Sequence, residues 1–257
     1  MVWPRRRVPE RLQDLVHTFG EAVLPLRLHV TDVDRAARAV AVAVAVRRFD
    51  RIDVAVNKAG YSDLGLVEDT TIDAFRAQLE TDSYGVVNVI KAPLVPILRE
   101  QASGHLVQVS SFSARWPPPS LTAYLGAKWA VTGLSLGLAQ EIAPFGVQVT
   151  VLEPGGMRTD RAGSSLTFPS AESAYEPMIG AFAGLVRATS GCDASDARRP
   201  HMWCATWPDT PTRILFGSDA APLAQQAAQE LASVDAAWRD VSLSVADPPD
   251  RREDLPA

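Results

Sequence analysis

Short apolar runs alternate along this chain with longer segments of helical character. That order predicts a parallel sheet with helices on both faces. Val23 to Val30 reads as a strand, and Thr31 or Asp32 can cap a helix from Val33 to about Arg48. The alternation from Ala39 to Val46 has the period of a strand, but its length and flanking strands favour helix. Ile52 to Asn57 reads as a strand closed by Ala59-Gly60. A long helix starts at Thr70 or Thr71 and runs to about Val89, where Pro93 and Pro96 bend or break it. Gly104 to Ser111 reads as a buried strand ending in hydroxyls. A helix to about Glu141 follows, and Val147 to Glu153 is a second buried strand running into Pro154-Gly155.

The pattern then loosens. Gly163 to Ala171 reads as a loop. Ser173 with Glu176 fits a capping box opening a helix to about Arg187, with Pro177 in its first turn. Helices over 173–187 and 221–242 bracket a strand over 212–217. The stretch from Thr189 to Pro211 gives the poorest pattern. The tail over 246–257, with Pro248, Pro249 and Pro256 among charges, is expected to be disordered. No repeat or linker divides the chain, so residues 1–245 are read as a single domain.

Composition adds limits rather than direction. The 257 residues are 47% hydrophobic and 21% charged, enough for one α/β domain with a substantial core. A net charge of −5 argues against a nucleic-acid binder. The Arg5-Arg6-Arg7 cluster with Arg11 is the local exception, and guanidinium groups suit phosphate oxygens. Cys192, Cys204 and His201 form no recognised ligand spacing, so no metal is expected. The longest apolar stretch, Ala36 to Val46, is too short to span a bilayer and is interrupted by Arg38. A cytoplasmic protein without membrane partners is the default.

The chemistry concentrates in Tyr124-Leu125-Gly126-Ala127-Lys128, with Ser111 thirteen residues upstream of Tyr124. On a helix, residues four apart share a face, so the phenol and ammonium become neighbours. An opposite charge favours the ionised phenol, which suits it to proton transfer near neutral pH. A hydroxyl from a nearby strand end can hold a carbonyl or alcohol oxygen. These three groups are what reversible carbonyl reduction needs.

Asn57-Lys58-Ala59-Gly60, Ser111, Tyr124, Lys128 and Pro154-Gly155 follow one another in an order and spacing that resembles the short-chain dehydrogenase/reductase family. The resemblance runs from about Arg5 to about Ser244. It extends to Arg213-Ile214-Leu215-Phe216-Gly217-Ser218-Asp219-Ala220, which looks like the late strand and turn of bacterial members. It implies a doubly wound, Rossmann-like α/β domain. It also implies that Ser111 bonds the substrate oxygen, that Tyr124 transfers the proton, and that Lys128 tunes Tyr124 and holds the nicotinamide ribose. The cofactor contacts so implied are Arg7, His29, Val30, Asn57, Ala59, Gly60, Tyr124, Lys128, Pro154, Gly155 and Thr159. Asp82 joins the catalytic group.

Four features depart from the family pattern. The sequence contains no turn of the type Thr-Gly-x-x-x-Gly-x-Gly, and its first residues match the end of the family's second strand. The first strand and Gly-rich phosphate turn are therefore expected to be missing, leaving a gap beside the strand over 52–57. Neighbouring strands would close up, or apolar surface would be exposed. His29 stands where the family has an Asp contacting adenine. Asp82 stands where it has an Asn in a water relay toward the active-site Lys, so an ion pair with Lys128 would hold the ammonium charged and compete with its ribose contact. Lys58 replaces an amide in the Asn-Asn-Ala-Gly turn.

Two functional readings stay open. One is an NADP(H)-dependent oxidoreductase interconverting a carbonyl and a secondary alcohol. NADP(H) is favoured over NAD(H) because the Arg cluster follows the family's second strand. The other is a degenerate relative that binds no cofactor productively and serves as a binding protein, scaffold or cofactor-free isomerase. A start at an internal Met of a longer gene product is a third explanation of the missing turn. The partner expected is a small-molecule carbonyl or alcohol, with homodimers or homotetramers pairing long helices. Trp129 and Leu136 lie on one helical face that suits either such an interface or the core.

Overall fold

The computed structural model describes residues 13–26, 28–37, 49–158, 174–189, 192–193 and 210–244. Arg5 to Arg7, Arg11, Thr159, the loop over 163–171, Ser173, His201, Cys204 and the tail from 246 lie outside the described residues.

Four parallel strands form the central sheet in the order β1-β2-β3-β6. They are β1 (Val54–Asn57), β2 (Gly104–Val109), β3 (Val147–Pro154) and β6 (Arg213–Phe216). The pairs Ala55↔Leu106, Leu106↔Val149 and Val151↔Arg213 fix the register. Strands β2 and β3 are almost continuously buried, as parallel strands covered on both faces must be. A minor parallel pair joins β4 (Met157–Arg158) to β5 (Cys192–Asp193). The helices are α1 (Gln13–Phe19), a long α2 over 72–101, α3 (Thr122–Ile142), α4 (Glu176–Thr189), α5 (Ala220–Ala237) and α6 (Arg239–Ser244). This is the α/β, Rossmann-like architecture that the alternation predicts.

The larger core lies where α2 and α3 cover one face of the sheet. Leu94 and Leu98 of α2, Val131 of α3, Leu106 and Val149 meet there. A smaller cluster on the opposite face holds Val107, Val109 and Leu152, with Ile214 and Phe216 packed against it.

Three elements differ from the sequence reading. The segment 23–30 is irregular where described, not a strand. A strand needs a partner ladder, and this segment pairs with no strand of the described sheet. The segment packs instead on α2: Val30 O accepts from Asn88 Nδ2 at 2.9 Å. Val56, in the middle of β1, is 44% exposed. Asp32 does cap the turn that follows, accepting from Arg35 N at 2.9 Å, and residues 33–37 are helical.

The second difference is that α2 passes Pro93 and Pro96 and ends at Gln101. It does so through two wide π-helical turns, Glu80–Tyr84 and Ile90–Leu94, the second containing Pro93. Thr71 starts the helix, its side chain accepting from Ala74 N at 3.2 Å. The third is that the helix expected over 221–242 is two, α5 and α6, parted at Trp238. Of the helix expected over 33–48, residues 38–48 lie outside the described residues. No helix among the described residues is long and apolar enough to cross a membrane.

Candidate active site

The carboxyl ends of parallel strands leave their loops on one edge of the sheet, where ligands settle in folds of this kind. Strand β2 delivers Ser110 and Ser111 to that edge. Ser111 is extended and caps a single helical turn over Phe112–Ala114, its Oγ accepting from Ser113 N at 3.2 Å. A hydroxyl has one proton and two lone pairs, so this contact leaves the proton to donate elsewhere. Ser110 does different work: its Oγ donates to Lys128 O at 3.0 Å and meets Thr132 Oγ1 at 2.8 Å, fastening α3 to the strand.

Helix α3 starts at Thr122 and places Tyr124 and Lys128 one turn apart on one face. Tyr124 is half-buried and Lys128 is buried. Lys128 Nζ lies 5.6 Å from the centre of the Tyr124 ring. The same ammonium donates to Val109 O at 3.0 Å and stands 3.7 Å from Asp82 Oδ2. Val109 is two residues before Ser111, so β2 fixes the hydroxyl and the ammonium together.

Asp82 comes from the first wide turn of α2, and wide turns of this kind often re-aim a side chain at a functional position. Its Oδ1 accepts from Tyr61 N at 3.0 Å. Gly60 lies against the same carboxyl group: a Cβ there would sit 3.0 Å from Oδ2. Gln78 reinforces the loop, donating to Tyr61 O at 2.8 Å and accepting from Asp63 N at 3.3 Å. Lys58, Ala59 and Gly60 stay exposed. Asn57, at the end of β1, donates through Nδ2 to Gln108 Oε1 at 3.0 Å.

On the far side, the Pro154-Gly155 turn is tied to β6 and the turn after it. Gly155 N donates to Phe216 O at 2.7 Å, and Gly156 N to Asp219 Oδ2 at 2.8 Å. A Cβ at Gly155 would lie 2.5 Å from Asp219 Oδ1, so any larger residue would have to displace that carboxylate from Gly156 N. His29 Nδ1 meets Thr31 Oγ1 at 2.7 Å. Val30 presses its Cγ2 onto Gly85, three residues after Asp82.

Of the sequence-predicted residues, the fold thus links Tyr124, Lys128, Asp82 and Gly60 through direct contacts. It sets Ser111 on the strand that anchors Lys128. Val30 joins through α2 and Pro154 and Gly155 through β3, while His29 bonds only its neighbours Thr31 and Asp32 among the contacts described. Arg7 and Thr159 fall outside the described residues. Sequence reasoning missed Glu153, Arg115 and Arg213. Glu153 is fully buried and carries both arginines, and its signal was a carboxylate closing an apolar strand run.

These residues fit the nicotinamide half of a dinucleotide. The Ala59-Gly60 turn is open to a ligand. Lys128 has three N–H donors, and Val109 O and Asp82 take two directions, which leaves one for a ribose hydroxyl.

A parallel sheet flanked by helices, with the strand order β1-β2-β3-β6, is a Rossmann-like frame. The chain belongs to the short-chain dehydrogenase family, whose model matches residues 2–168. Oxidoreductase BOA17 of Botryotinia fuckeliana is 46% identical over 244 residues, covering 93% of this chain and 88% of that protein. A short-chain dehydrogenase structure from Streptomyces avermitilis superposes with a TM-score of 0.84 at 33% identity, covering 93% of this chain and 87% of that one. A short chain dehydrogenase of Burkholderia cenocepacia, solved in complex with NADP, shares the fold at a TM-score of 0.59 and 23% identity, covering 84% and 81%.

Proposed function

We propose that this chain interconverts a carbonyl and a secondary alcohol on a small molecule, using NADP(H). The observation that carries this reading is the placement of Lys128 Nζ under the Tyr124 ring, anchored to Val109 O and facing Asp82. In the reduction direction, Ser111 donates its remaining proton to the substrate oxygen and holds it. Tyr124 gives its phenolic proton to that oxygen as negative charge develops there. The Lys128 ammonium, fixed beside the ring, faces the phenolate left behind and carries its third N–H toward the ribose. Ala59, Gly60, Pro154 and Gly155 supply close backbone on either side. A bound nicotinamide supplies or accepts the hydride, and the protein's share is to bind, orient and polarise. In oxidation the proton steps run backwards.

The preference for NADP(H) draws on the Arg5-Arg6-Arg7 cluster of the sequence and on the NADP complex of the Burkholderia cenocepacia relative. Thermal melting with increasing NADPH, together with NADPH oxidation over a panel of ketones, tests the reading. At about a hundredfold excess over the dissociation constant, the cofactor adds roughly 2.7 kcal/mol of stability. No stabilisation by millimolar NADPH or NADH would reject the oxidoreductase reading and leave a protein that keeps the family's frame for another purpose.

A further inference from the structure

Among the described residues, Glu153 is a fully buried carboxylate that the proposed chemistry does not use. Its side chain is 0% exposed, yet it closes the strand that leads into Pro154-Gly155. Arg115 donates to Oε2 through Nε at 2.6 Å and approaches it with Nη2 at 2.6 Å. Arg213 donates to Oε1 through Nε at 3.0 Å and also through Nη2. Both arginine side chains are about three-tenths exposed, so each guanidinium spans from solvent to the buried carboxyl. The two forks have different attachments. Arg213 belongs to β6, already paired with β3 along its length. Arg115 follows the Ser111 turn, which packs between α3 and β3 and which Trp129 Nε1 also ties to α3 by donating to Ser113 O at 3.1 Å.

We propose that Arg115 is a positioning residue: through Glu153 it sets the Ser111 turn relative to the Pro154-Gly155 turn, and so the substrate-holding hydroxyl relative to the nicotinamide side. Arg115 N closes the turn by donating to Phe112 O at 2.8 Å, and Ala114 N donates to Ser111 O at 3.0 Å. A displacement of Arg115 therefore passes through one short turn to Ser111. The carboxylate is a fixed post, because it rides on β3, a central strand paired with β2 on one side and β6 on the other. Planar two-point contact is what gives a guanidinium this precision, and a lysine ammonium lacks it. The kinetic arm of this inference rests on the carbonyl–alcohol reading above.

The paired variants Arg115→Gln and Arg213→Gln test it, since each strips one fork from the same carboxylate. We expect comparable losses in melting temperature. Arg115→Gln should lower kcat at least tenfold with NADPH affinity changed less than twofold, whereas Arg213→Gln should change kcat less than twofold. Arg115→Lys keeps the charge and guards against a folding defect; it should restore melting temperature more fully than kcat. Amide hydrogen exchange across 111–116 should quicken in both Arg115 variants and stay at the parent rate in Arg213→Gln. Turnover falling equally in the two Gln variants, or exchange rising equally in both, would overturn the positioning role. If the parent protein reduces no carbonyl, the proposed function fails, and the exchange comparison still decides whether Arg115 sets the turn.

Discussion

Lys128 Nζ stands 3.7 Å from Asp82 Oδ2, with side-chain exposures of 7% and 0%. The pair joins α3 to the first wide turn of α2 beneath the candidate active site. Its worth is asymmetric. Breaking a buried pair strands a charge at a cost of about 3–5 kcal/mol, although forming it gains little net energy.

That asymmetry separates two substitutions. Asp82→Ala leaves Lys128 with Val109 O and removes the acceptor of Tyr61 N, so we expect a loss of about 3 kcal/mol or more. For a chain of this size that is a fall in melting temperature of roughly 6–12 °C. Asp82→Asn also strands the Lys128 charge but keeps an oxygen for Tyr61 N, so it should cost less than Asp82→Ala, measured by denaturant unfolding.

Tyr124 is half-buried and supports no core cluster. Tyr124→Phe removes only the hydroxyl, so its melting temperature should match the parent within a degree or two. Under the proposed chemistry its turnover should drop by about two to four orders of magnitude, the usual range for a lost proton donor. An active Phe variant would reject the assignment of Tyr124.

Gly60 is held by space rather than by backbone angle. A methyl group there would meet Asp82 Oδ2 at 3.0 Å, Cγ at 3.1 Å and Oδ1 at 3.2 Å. Gly60→Ala should therefore push the carboxylate off Lys128 and cost about 1–3 kcal/mol. In an Asp82→Ala background the penalty should largely vanish, and a double-mutant cycle reads that coupling.

Leu106 provides a contrast outside the site. It is fully buried in β2 between Ala55 and Val149. Leu106→Ala should destabilise by about 2–5 kcal/mol. At temperatures where the variant is folded, its KM and kcat should stay within about twofold of the parent.

The central strands, α3 and the positions of Tyr124 and Lys128 were legible because their signals are local: periodic apolar residues, a capping residue, two side chains one turn apart. What escaped depended on partners distant in sequence. The segment 23–30 has strand composition, but a ladder requires a neighbour that composition does not reveal. Pro93 and Pro96 suggested an interruption, yet a wide turn absorbed the first within a continuing helix. Glu153 reads locally as an oddity in an apolar run. Its meaning comes from Arg115 and Arg213, 38 and 60 residues away. The Asp82–Lys128 approach was expected on the resemblance, since only a fold could bring those helices together.

Trp129 carries a consequence of another kind. Its indole is 52% exposed while its N–H reaches the turn that begins at Ser111. Light emitted by an indole shifts with its hydration and its hydrogen bond. The chain thus contains its own optical reporter of the loop beside the reacting centre, and a variant retaining Trp129 as its sole tryptophan would allow that loop to be followed on the millisecond scale without an attached dye.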